Sequence, residues 1–284
     1  MSETVSANEA LCLRALQETD RDRYLASLLT PADRRAAIVA LYAYNAELAR
    51  VRDLVREPLP GEVRLQYWRD LLEGSAHGET AANPVAAELL RAVETWRLPV
   101  APLVSMADAR IFDLYDDPIE NRPMLEAYAG HTASTLIQLA SLILDPQAAP
   151  SSADAAGHAG VAQTIAGLLL LMPQHRRRGQ VYLPLEILGA TGLDREQFLE
   201  GTDKARISAA IEAFAGLGRE HLAKARAAGT VAATVFPAFL TASLAVPVLE
   251  RAVKLGAGVF DAPLQPPQWR RQMRLAIAAF RQKF

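Results

Sequence analysis

Cysteine, aromatic residues and net charge are all scarce in this 284-residue sequence. Its one cysteine, Cys12, excludes an internal disulfide and a thiolate metal cluster, and it fits a reducing compartment. Thirty basic residues against 32 acidic ones give a formal charge of -2, so no overall positive field attracts nucleic acid and we expect no nucleic-acid partner. With 51% hydrophobic and 22% charged residues, the chain has the composition of a folded soluble protein.

Motifs of nucleotide binding and nucleophilic catalysis are missing as well. The sequence contains no Walker A motif, no glycine-rich dinucleotide turn, no Gly-x-Ser-x-Gly and no Cys-x-x-Cys. The five histidines, at positions 77, 131, 158, 175 and 221, lack HExxH spacing and clustered carboxylates, so we expect no metal site. His221 continues an apolar stripe over residues 207–217, which favours a buried histidine with one hydrogen bond.

Neither a targeting segment nor a membrane span is predicted. No basic cluster precedes an apolar run at the N-terminus, where Glu3 and Glu9 are acidic. Residues 231–249 carry no charge and are long enough to span a membrane. Because Pro237 and Pro247 interrupt this stretch and alanine dominates it, we predict a buried hairpin of helices instead.

Helix start signals recur along the chain, whereas strand patterns do not. Thr30 is a candidate N-cap with Pro31 in the first helical position, and apolar residues then recur every three or four positions. Asn83 and Pro84 begin another helix in the same way. Alternating apolar and polar runs, which would predict strands, are almost absent. The run that comes closest to this pattern is Gln180–Leu183, and it is too short to build a sheet. The predicted fold class is therefore all-α.

Two proline-rich segments are candidate boundaries. Residues 145–152 join helical stretches of similar apolar composition, so we predict a surface loop within one domain that spans residues 1–284. Residues 258–267 form a second bend, which leads to a predicted amphipathic terminal helix over residues 269–284. Its basic face is a candidate for docking to a membrane surface or an acidic partner, although most such faces are only solvated. The basic residues are Arg270, Arg271, Arg274, Arg281 and Lys283.

Four short motifs follow one another in a set order. They are Leu41–Tyr44 with a helix that ends at Asp53, Leu65–Arg69, Leu125–Tyr128 and Arg177–Pro184. Their order and spacing resemble the squalene/phytoene synthase family, and the resemblance runs from about residue 10 to the C-terminus. It implies a single isoprenoid-synthase-like helical bundle around a central cavity. Members of this family join two prenyl diphosphates head to head and hold Mg²⁺ between two aspartate-rich helices.

Most of the aspartates that the resemblance requires are replaced. Ala49 and Arg50 stand at the leading aspartate positions of the first motif, Asp53 is retained, and Leu171 and His175 stand in the second. Both pairs, 49/53 and 171/175, keep the i to i+4 spacing of one helical face. Since Mg²⁺ prefers several oxygen ligands, one aspartate and one imidazole cannot form a diphosphate clamp. We expect no metal site and no cofactor, with Mg²⁺ bound only if catalysis persists.

Arginine side chains could bind a diphosphate directly in place of the metal. The candidate residues for a diphosphate or another ligand are Arg50, Arg52, Asp53, Tyr128, Arg177, Arg178 and Tyr182, with Arg176 beside them. A solvated loop at residues 176–178 is the competing interpretation. We also expect Arg50 to neutralise Asp53 rather than leave it free for metal.

The replacements indicate a subgroup. Together with Tyr44–Asp53 and Phe236–Leu240, they resemble the phytoene-synthase-type assembly factors of mitochondrial respiratory complex I and their bacterial relatives. This resemblance implies a catalytically silent protein in the cytoplasm or peripheral to the inner membrane. The implied partners are complex I subunits or assembly factors, or a membrane or isoprenoid lipid.

The alternative function is that of a prenyl transferase acting on isoprenoid diphosphates, or of a terpenoid-binding protein. If function lies in contacts instead, the charge-free segment around Phe236 and Pro237 is a second, apolar docking candidate.

Overall fold

The structure is a computed structural model that describes residues 6–75 and 82–284, so His77 lies outside the described residues. Every regular element in these residues is helical, which confirms the all-α prediction. The α-helices are α1 (Ala7–Thr19), α2 (Arg21–Ser27), α3 (Ala32–Ala49), α4 (Val51–Leu54), α5 (Pro58–Leu72), α6 (Pro84–Trp96), α7 (Val100–Ala109), α8 (Arg122–Ala129), α9 (Thr135–Leu144), α10 (Ala153–Arg177), α11 (Leu185–Ala190), α12 (Arg195–Glu200), α13 (Lys204–Ala227), α14 (Ala245–Leu255) and α15 (Gln268–Arg281).

These helices belong to two compact units, and neither unit is one continuous piece of chain. The first unit consists of Met1–Tyr115, Thr135–Ser151 and Val231–Ala238. The second consists of Asp116–Ser134, Ser152–Thr230 and Phe239–Phe284. A single domain over residues 1–284 stays a prediction.

Helix α3 lies at the centre of the first unit, where it packs against α1, α6 and α9. Its apolar residues Leu41 and Tyr44 are fully buried. The hydroxyl of Tyr44 donates a hydrogen bond to the carbonyl oxygen of Leu103 at 2.8 Å, and its ring meets that of Trp68 edge-on at 5.1 Å. These contacts satisfy the hydroxyl group inside an apolar core, as a buried tyrosine requires.

The two predicted helix starts have different outcomes. Asn83 caps α6 by accepting hydrogen bonds from two backbone amides, and Pro84 is the first residue of that helix, as predicted. Helix α3 instead begins after Pro31 without a side-chain cap, so the prediction for Thr30 was wrong. The hydroxyl of Thr30 donates to the carbonyl oxygen of Ser27 at 2.6 Å, which directs it back to α2.

In the second unit, the long helices α10 and α13 pack against each other and against α14. A Cβ atom at Gly218 of α13 would lie 2.8 Å from a methyl group of Leu249 and 3.1 Å from one of Ile165. Glycine at this position therefore lets the three helices approach closely. Phe214, one turn earlier in α13, is fully buried in the core.

A π-helical turn, Gly130–Ser134, follows α8 and packs against α10. The hydroxyl of Ser134 donates to the carbonyl oxygen of Gly157 at 2.8 Å. A Cβ atom at Gly160 would lie 2.4 Å from the backbone nitrogen of Ser134, closer than real Cβ contacts occur. The turn and α10 can meet at this distance only because residue 160 is glycine.

Residues 231–249 do not form a hairpin of helices, so that prediction was wrong. A 3₁₀ helix, Phe236–Leu244, leads directly into α14, and Pro247 lies in the first turn of α14, where a missing amide is tolerated. Burial of the segment was predicted and is confirmed, since Phe236 is 3% exposed and Leu240 is fully buried. The same burial corrects the prediction of an apolar docking element around Phe236, because its side chain faces no solvent.

Two helical stretches are long and apolar enough to cross a membrane, Ala149–Arg177 and Phe236–Phe260. Of their most apolar windows, 61% and 56% respectively are buried within the protein, as is common for core helices of soluble proteins. The predicted terminal helix is confirmed as α15. Residues 145–152 form the predicted loop, a turn followed by a 3₁₀ helix at Ala149–Ser152, but the boundary between the two compact units falls at Ser151 and Ser152, so the position of this loop within one domain stays a prediction.

Candidate functional site

The first motif is divided by a break between two helices. Helix α3 ends at Ala49, Arg50 forms the turn with φ -89° and ψ -5°, and Asp53 lies in the separate single-turn helix α4. The amide of Asp53 donates to the carbonyl oxygen of Arg50, three residues back, at 2.9 Å. Ala49 and Asp53 are therefore not on one continuous helix, and the predicted i to i+4 geometry of this pair was wrong.

The two arginines of this motif have partners in the first unit. The guanidinium of Arg50 pairs with the carboxylate of Glu47 at 3.5 Å. Arg52 donates to the carbonyl oxygen of Val55 at 3.3 Å, next to the end of α4. Asp53 is exposed. Neutralisation of Asp53 by Arg50 stays a prediction.

The second motif lies near the C-terminal end of α10, in the second unit. Leu171 and His175 share this helix, which confirms the predicted spacing for this pair. The ring centroid of His175 is 4.5 Å from that of Tyr182, and the centroid of Tyr128 is 6.4 Å from that of Tyr182. The structure thus brings together three aromatic side chains named in the sequence analysis. Tyr128 and Tyr182 are ligand candidates, and His175 stands at an aspartate position of the second motif.

Arg176 has a structural role that the sequence did not predict. It donates hydrogen bonds of 2.7 and 2.6 Å to the carbonyl oxygens of Leu199 and Glu200, at the end of α12. Its guanidinium also lies over the ring of Phe260, 4.5 Å from the centroid. These bonds occupy the group by satisfying carbonyls that a helix end leaves open. Binding of a diphosphate by Arg176, which also lines the surface depression beside Arg177, stays a prediction.

Arg177 and Arg178 are both exposed. Arg177 donates to the carbonyl oxygen of Pro173 at 3.1 Å and lines a surface depression of about 490 Å³. The ligand candidates thus form two sets: Arg50, Arg52 and Asp53 are in the first unit, and Tyr128, Arg177, Arg178 and Tyr182 are in the second.

The residues at the aspartate positions do not fit a magnesium clamp. Leu171 is 43% exposed and has no donor atom, while His175 offers nitrogen to an ion that prefers oxygen. Over residues 6–75 and 82–284, no group of three or more His, Cys, Asp or Glu side chains has the arrangement to hold a metal ion. No step of prenyl transfer can therefore be assigned to a metal at these positions.

A cluster of titratable side chains in the second unit was not predicted. His221 of α13 is 3% exposed. Its Nε2 lies 3.2 Å from a carboxylate oxygen of Glu126 on α8, and its Nδ1 lies 3.0 Å from Nδ1 of His158 on α10. Burial of His221 is confirmed, but the expectation of a single hydrogen bond was wrong. Glu126 is 95 positions away in sequence, so no local spacing could have predicted this contact.

The contacts of His221 define its protonation. A neutral ring with its proton on Nε2 donates to Glu126 and accepts from His158 through Nδ1, which satisfies both ring nitrogens. Burial, and to a smaller extent the neighbouring His158, lowers the pKa of His221, while Glu126 partly opposes the effect. The lowered pKa of His221 favours its neutral form at pH 7.

Comparison with known proteins shows which family this chain resembles. The model of the squalene/phytoene synthase family matches residues 16–274. NADH dehydrogenase (ubiquinone) complex I, assembly factor 6, from Homo sapiens is 33% identical over 274 residues, which cover 96% of this chain and 82% of the relative. The 15-cis-phytoene synthase of Synechocystis is 25% identical over 207 residues, which cover 69% of this chain and 61% of that enzyme.

Solved structures show the same fold. A crystal structure of a dehydrosqualene synthase superposes with a TM-score of 0.82 at 18% identity, covering 97% of this chain and 96% of the other. The squalene synthase HpnC from Alicyclobacillus acidocaldarius gives a TM-score of 0.61 at 17% identity, covering 97% and 94%. With the family match extending over nearly all of its helices, this chain belongs to the squalene/phytoene synthase family.

Proposed function

We propose that this chain acts in the assembly of respiratory complex I and does not catalyse prenyl transfer. The observation that carries the proposal is its 33% identity, over 96% of its length, to a protein named complex I assembly factor 6. The proposed partners are complex I subunits or other assembly factors. The proposed location is the cytoplasm or the surface of the inner membrane.

The chemistry of the two motifs supports the absence of catalysis. Departure of a diphosphate requires that cations neutralise the developing charge, and carboxylates hold those cations in the catalytic relatives that the sequence resembles. Here Leu171 and His175 provide no carboxylate, and Ala49 is followed by a helix break before Asp53. A single exposed aspartate cannot replace the two sets of ligands.

The first test measures catalysis directly. Purified protein incubated with farnesyl or geranylgeranyl diphosphate and Mg²⁺ should form no squalene or phytoene, as measured by mass spectrometry of the extracted lipids. Turnover that Asp53→Ala abolishes, while the matched exposed variant Asp117→Ala retains it, would show an active prenyl synthase and contradict the proposal.

The second test measures assembly. The chain, carrying an added mitochondrial targeting sequence, is expressed in human cells that lack assembly factor 6, and assembled complex I is measured on native gels and by NADH oxidation. We expect wild type and Asp53→Ala to restore assembly equally, because no catalytic carboxylate is involved. Failure of folded, correctly located protein to restore complex I would contradict the proposal.

A prenyl transferase or terpenoid-binding protein is the second candidate function. It is favoured by the group of aromatic side chains formed by Tyr128, His175 and Tyr182. The exposed Arg177 and Arg178 come two and three residues after His175 in the sequence. Calorimetric titration with a non-hydrolysable farnesyl diphosphate analogue distinguishes the two forms of this alternative. Tight binding that needs Mg²⁺ indicates an enzyme, whereas binding without Mg²⁺ that Arg177→Ala and Arg178→Ala weaken indicates a terpenoid-binding protein. The central cavity that the family resemblance implies stays a prediction.

A further inference from the structure

Helix α15 exposes a stripe of large apolar side chains. Trp269 is 56% exposed, Met273 51%, Ile277 44% and Phe280 90%. At 100° per residue these four side chains lie within an arc of about 80° on the helix. The face that packs on the second unit contains Leu275 and Ala278, which are buried. The stripe is therefore a second apolar face, directed away from the core.

Basic side chains lie along one side of this stripe. Arg270 and Arg281 are exposed, and the guanidinium of Arg270 lies 5.1 Å from the ring centroid of Trp269. Arg274 differs from them, because it is half-buried and donates to the carbonyl oxygen of Ser243 at 2.6 Å. The basic face predicted from sequence thus consists of exposed charges and of at least one arginine that also anchors the helix.

A groove of about 680 Å³ runs between α14 and α15 next to the stripe. Its lining includes seven basic side chains, two from α14, four from α15 and Lys283, against one acidic side chain, Glu250. Met273, Ile277 and Pro247 supply apolar surface in the same groove. Since the whole chain has a formal charge of -2, this concentration of positive charge is local and attracts anions.

We propose that this surface, the stripe of α15 together with the basic groove, docks the protein on an anionic lipid bilayer. Trp269 and Phe280 would enter the headgroup region while Arg270 and Arg281 contact lipid phosphates. The inference does not rest on the proposed role in complex I assembly, because it follows from the exposed side chains of α15 and the charge of the groove beside it.

The positions of the two largest apolar side chains favour a bilayer over an acidic peptide. A peptide bound in the groove would contact its lining, but neither Trp269 nor Phe280 lines it. They project from nearly the same side of α15, about 16 Å apart along its axis. A flat lipid surface covers both side chains and the basic row simultaneously, whereas a groove-bound peptide leaves both aromatic rings in water.

The test is flotation of the purified full chain with vesicles of phosphatidylcholine alone or mixed with phosphatidylglycerol. We expect flotation only with the anionic vesicles, and we expect it to decrease as salt is raised. Of the three tryptophans, Trp68 is buried, so a blue shift of fluorescence that Trp269→Phe removes would place α15 at the membrane.

Matched variants distinguish the effect of basic side chains on the proposed surface from the effect of the charge of the whole protein. Arg270→Gln with Arg281→Gln should weaken partitioning about thirtyfold, from two fewer basic side chains at the lipid surface. Arg14→Gln with Arg219→Gln removes the same charge from exposed positions outside the groove and should change partitioning by less than about twofold. Trp269→Ala with Phe280→Ala should abolish flotation, while circular dichroism and the melting temperature stay those of wild type because both side chains are exposed.

Four results would overturn the proposal. They are equal flotation with both vesicle types, no flotation with anionic vesicles at low salt, an equal loss in the Arg14 and Arg219 control, and full flotation of the Trp269 and Phe280 variant. If the protein ignores anionic vesicles but binds a soluble polyglutamate peptide through Arg270 and Arg281, the surface is a protein-docking face and the lipid proposal is wrong.

Discussion

The thiol of Cys12 is buried in the first unit, where its sulfur lies 3.4 Å from the carbonyl oxygen of Pro84. Burial, with a smaller effect of the Glu88 and Glu9 carboxylates, raises the pKa of the thiol to about 12. Because the thiolate is the reactive form, we expect Cys12 to resist alkylation in the native protein at mildly alkaline pH. Mass spectrometry after iodoacetamide treatment, with and without urea, measures this. Rapid labelling without urea would contradict it.

His221 makes the stability of the protein depend on pH. Its pKa is lowered in the folded state, so the unfolded chain binds a proton at higher pH than the folded protein does. The free energy of unfolding should therefore decrease as pH falls from about 7 towards 5, by at most about 1.4 kcal/mol per pH unit for this group.

Substitution isolates the contribution of His221. His221→Gln should lower stability at pH 7 through loss of the contacts with Glu126 and His158, and should flatten the pH dependence. His131→Gln, a substitution of an exposed histidine, should leave both unchanged. Urea unfolding of the three proteins at several pH values measures this, and an unchanged slope in His221→Gln would show that another group titrates.

Among the helices, the contact of α10 with the π-helical turn depends on one glycine. Gly160→Ala places a methyl group 2.4 Å from the backbone nitrogen of Ser134, which cannot move like the end of a side chain. We expect a loss of about 1 to 3 kcal/mol. Gly157→Ala is the matched control on the same helix, because no atom lies within 4 Å of its added Cβ. It should stabilise the helix by up to about 1 kcal/mol. Urea unfolding of both variants measures the difference, and equal effects would refute the argument.

Sequence signals predict helices well where the cause is local, and α6 is an example. An asparagine cap and a proline at the first position act within a few residues, so the sequence contains the whole explanation. The break at Arg50 has no comparable signal, because no glycine or proline interrupts residues 32–54. The π-helical turn likewise depends on its contact with α10.

The candidate site shows the same limit. Its aromatic residues were found from motif resemblance, and Tyr128, Tyr182 and His175 do lie near one another. The use of Arg176 was not predictable, because its partners are carbonyl groups that any sequence at residues 199–200 would offer. Backbone acceptors leave no trace in side-chain patterns, so a basic run looks the same whether it binds a ligand or a helix end.

For the molecule as a whole, the assembly of the first unit from three separate chain segments has a testable effect. Residues 231–238 complete this unit, with Val235 and Phe236 buried and the hydroxyl of Thr234 donating to the carboxylate of Asp145 at 2.7 Å. A fragment of residues 1–151 lacks this segment, so we expect it to unfold without a cooperative transition in urea, measured by near-ultraviolet circular dichroism. A sharp transition with native-like signal would show that the segment is dispensable.

The ribosome synthesises the first and last segments of this unit at very different times. About 120 residues separate the end of its first segment, Tyr115, from its last residue, Ala238. At roughly 5 to 20 residues per second, a ribosome needs about 6 to 25 s to cover that distance. Throughout this interval the nascent chain exposes the apolar surface that Val235 and Phe236 later cover. The delay before this apolar surface can be covered is thus set by the speed of the ribosome.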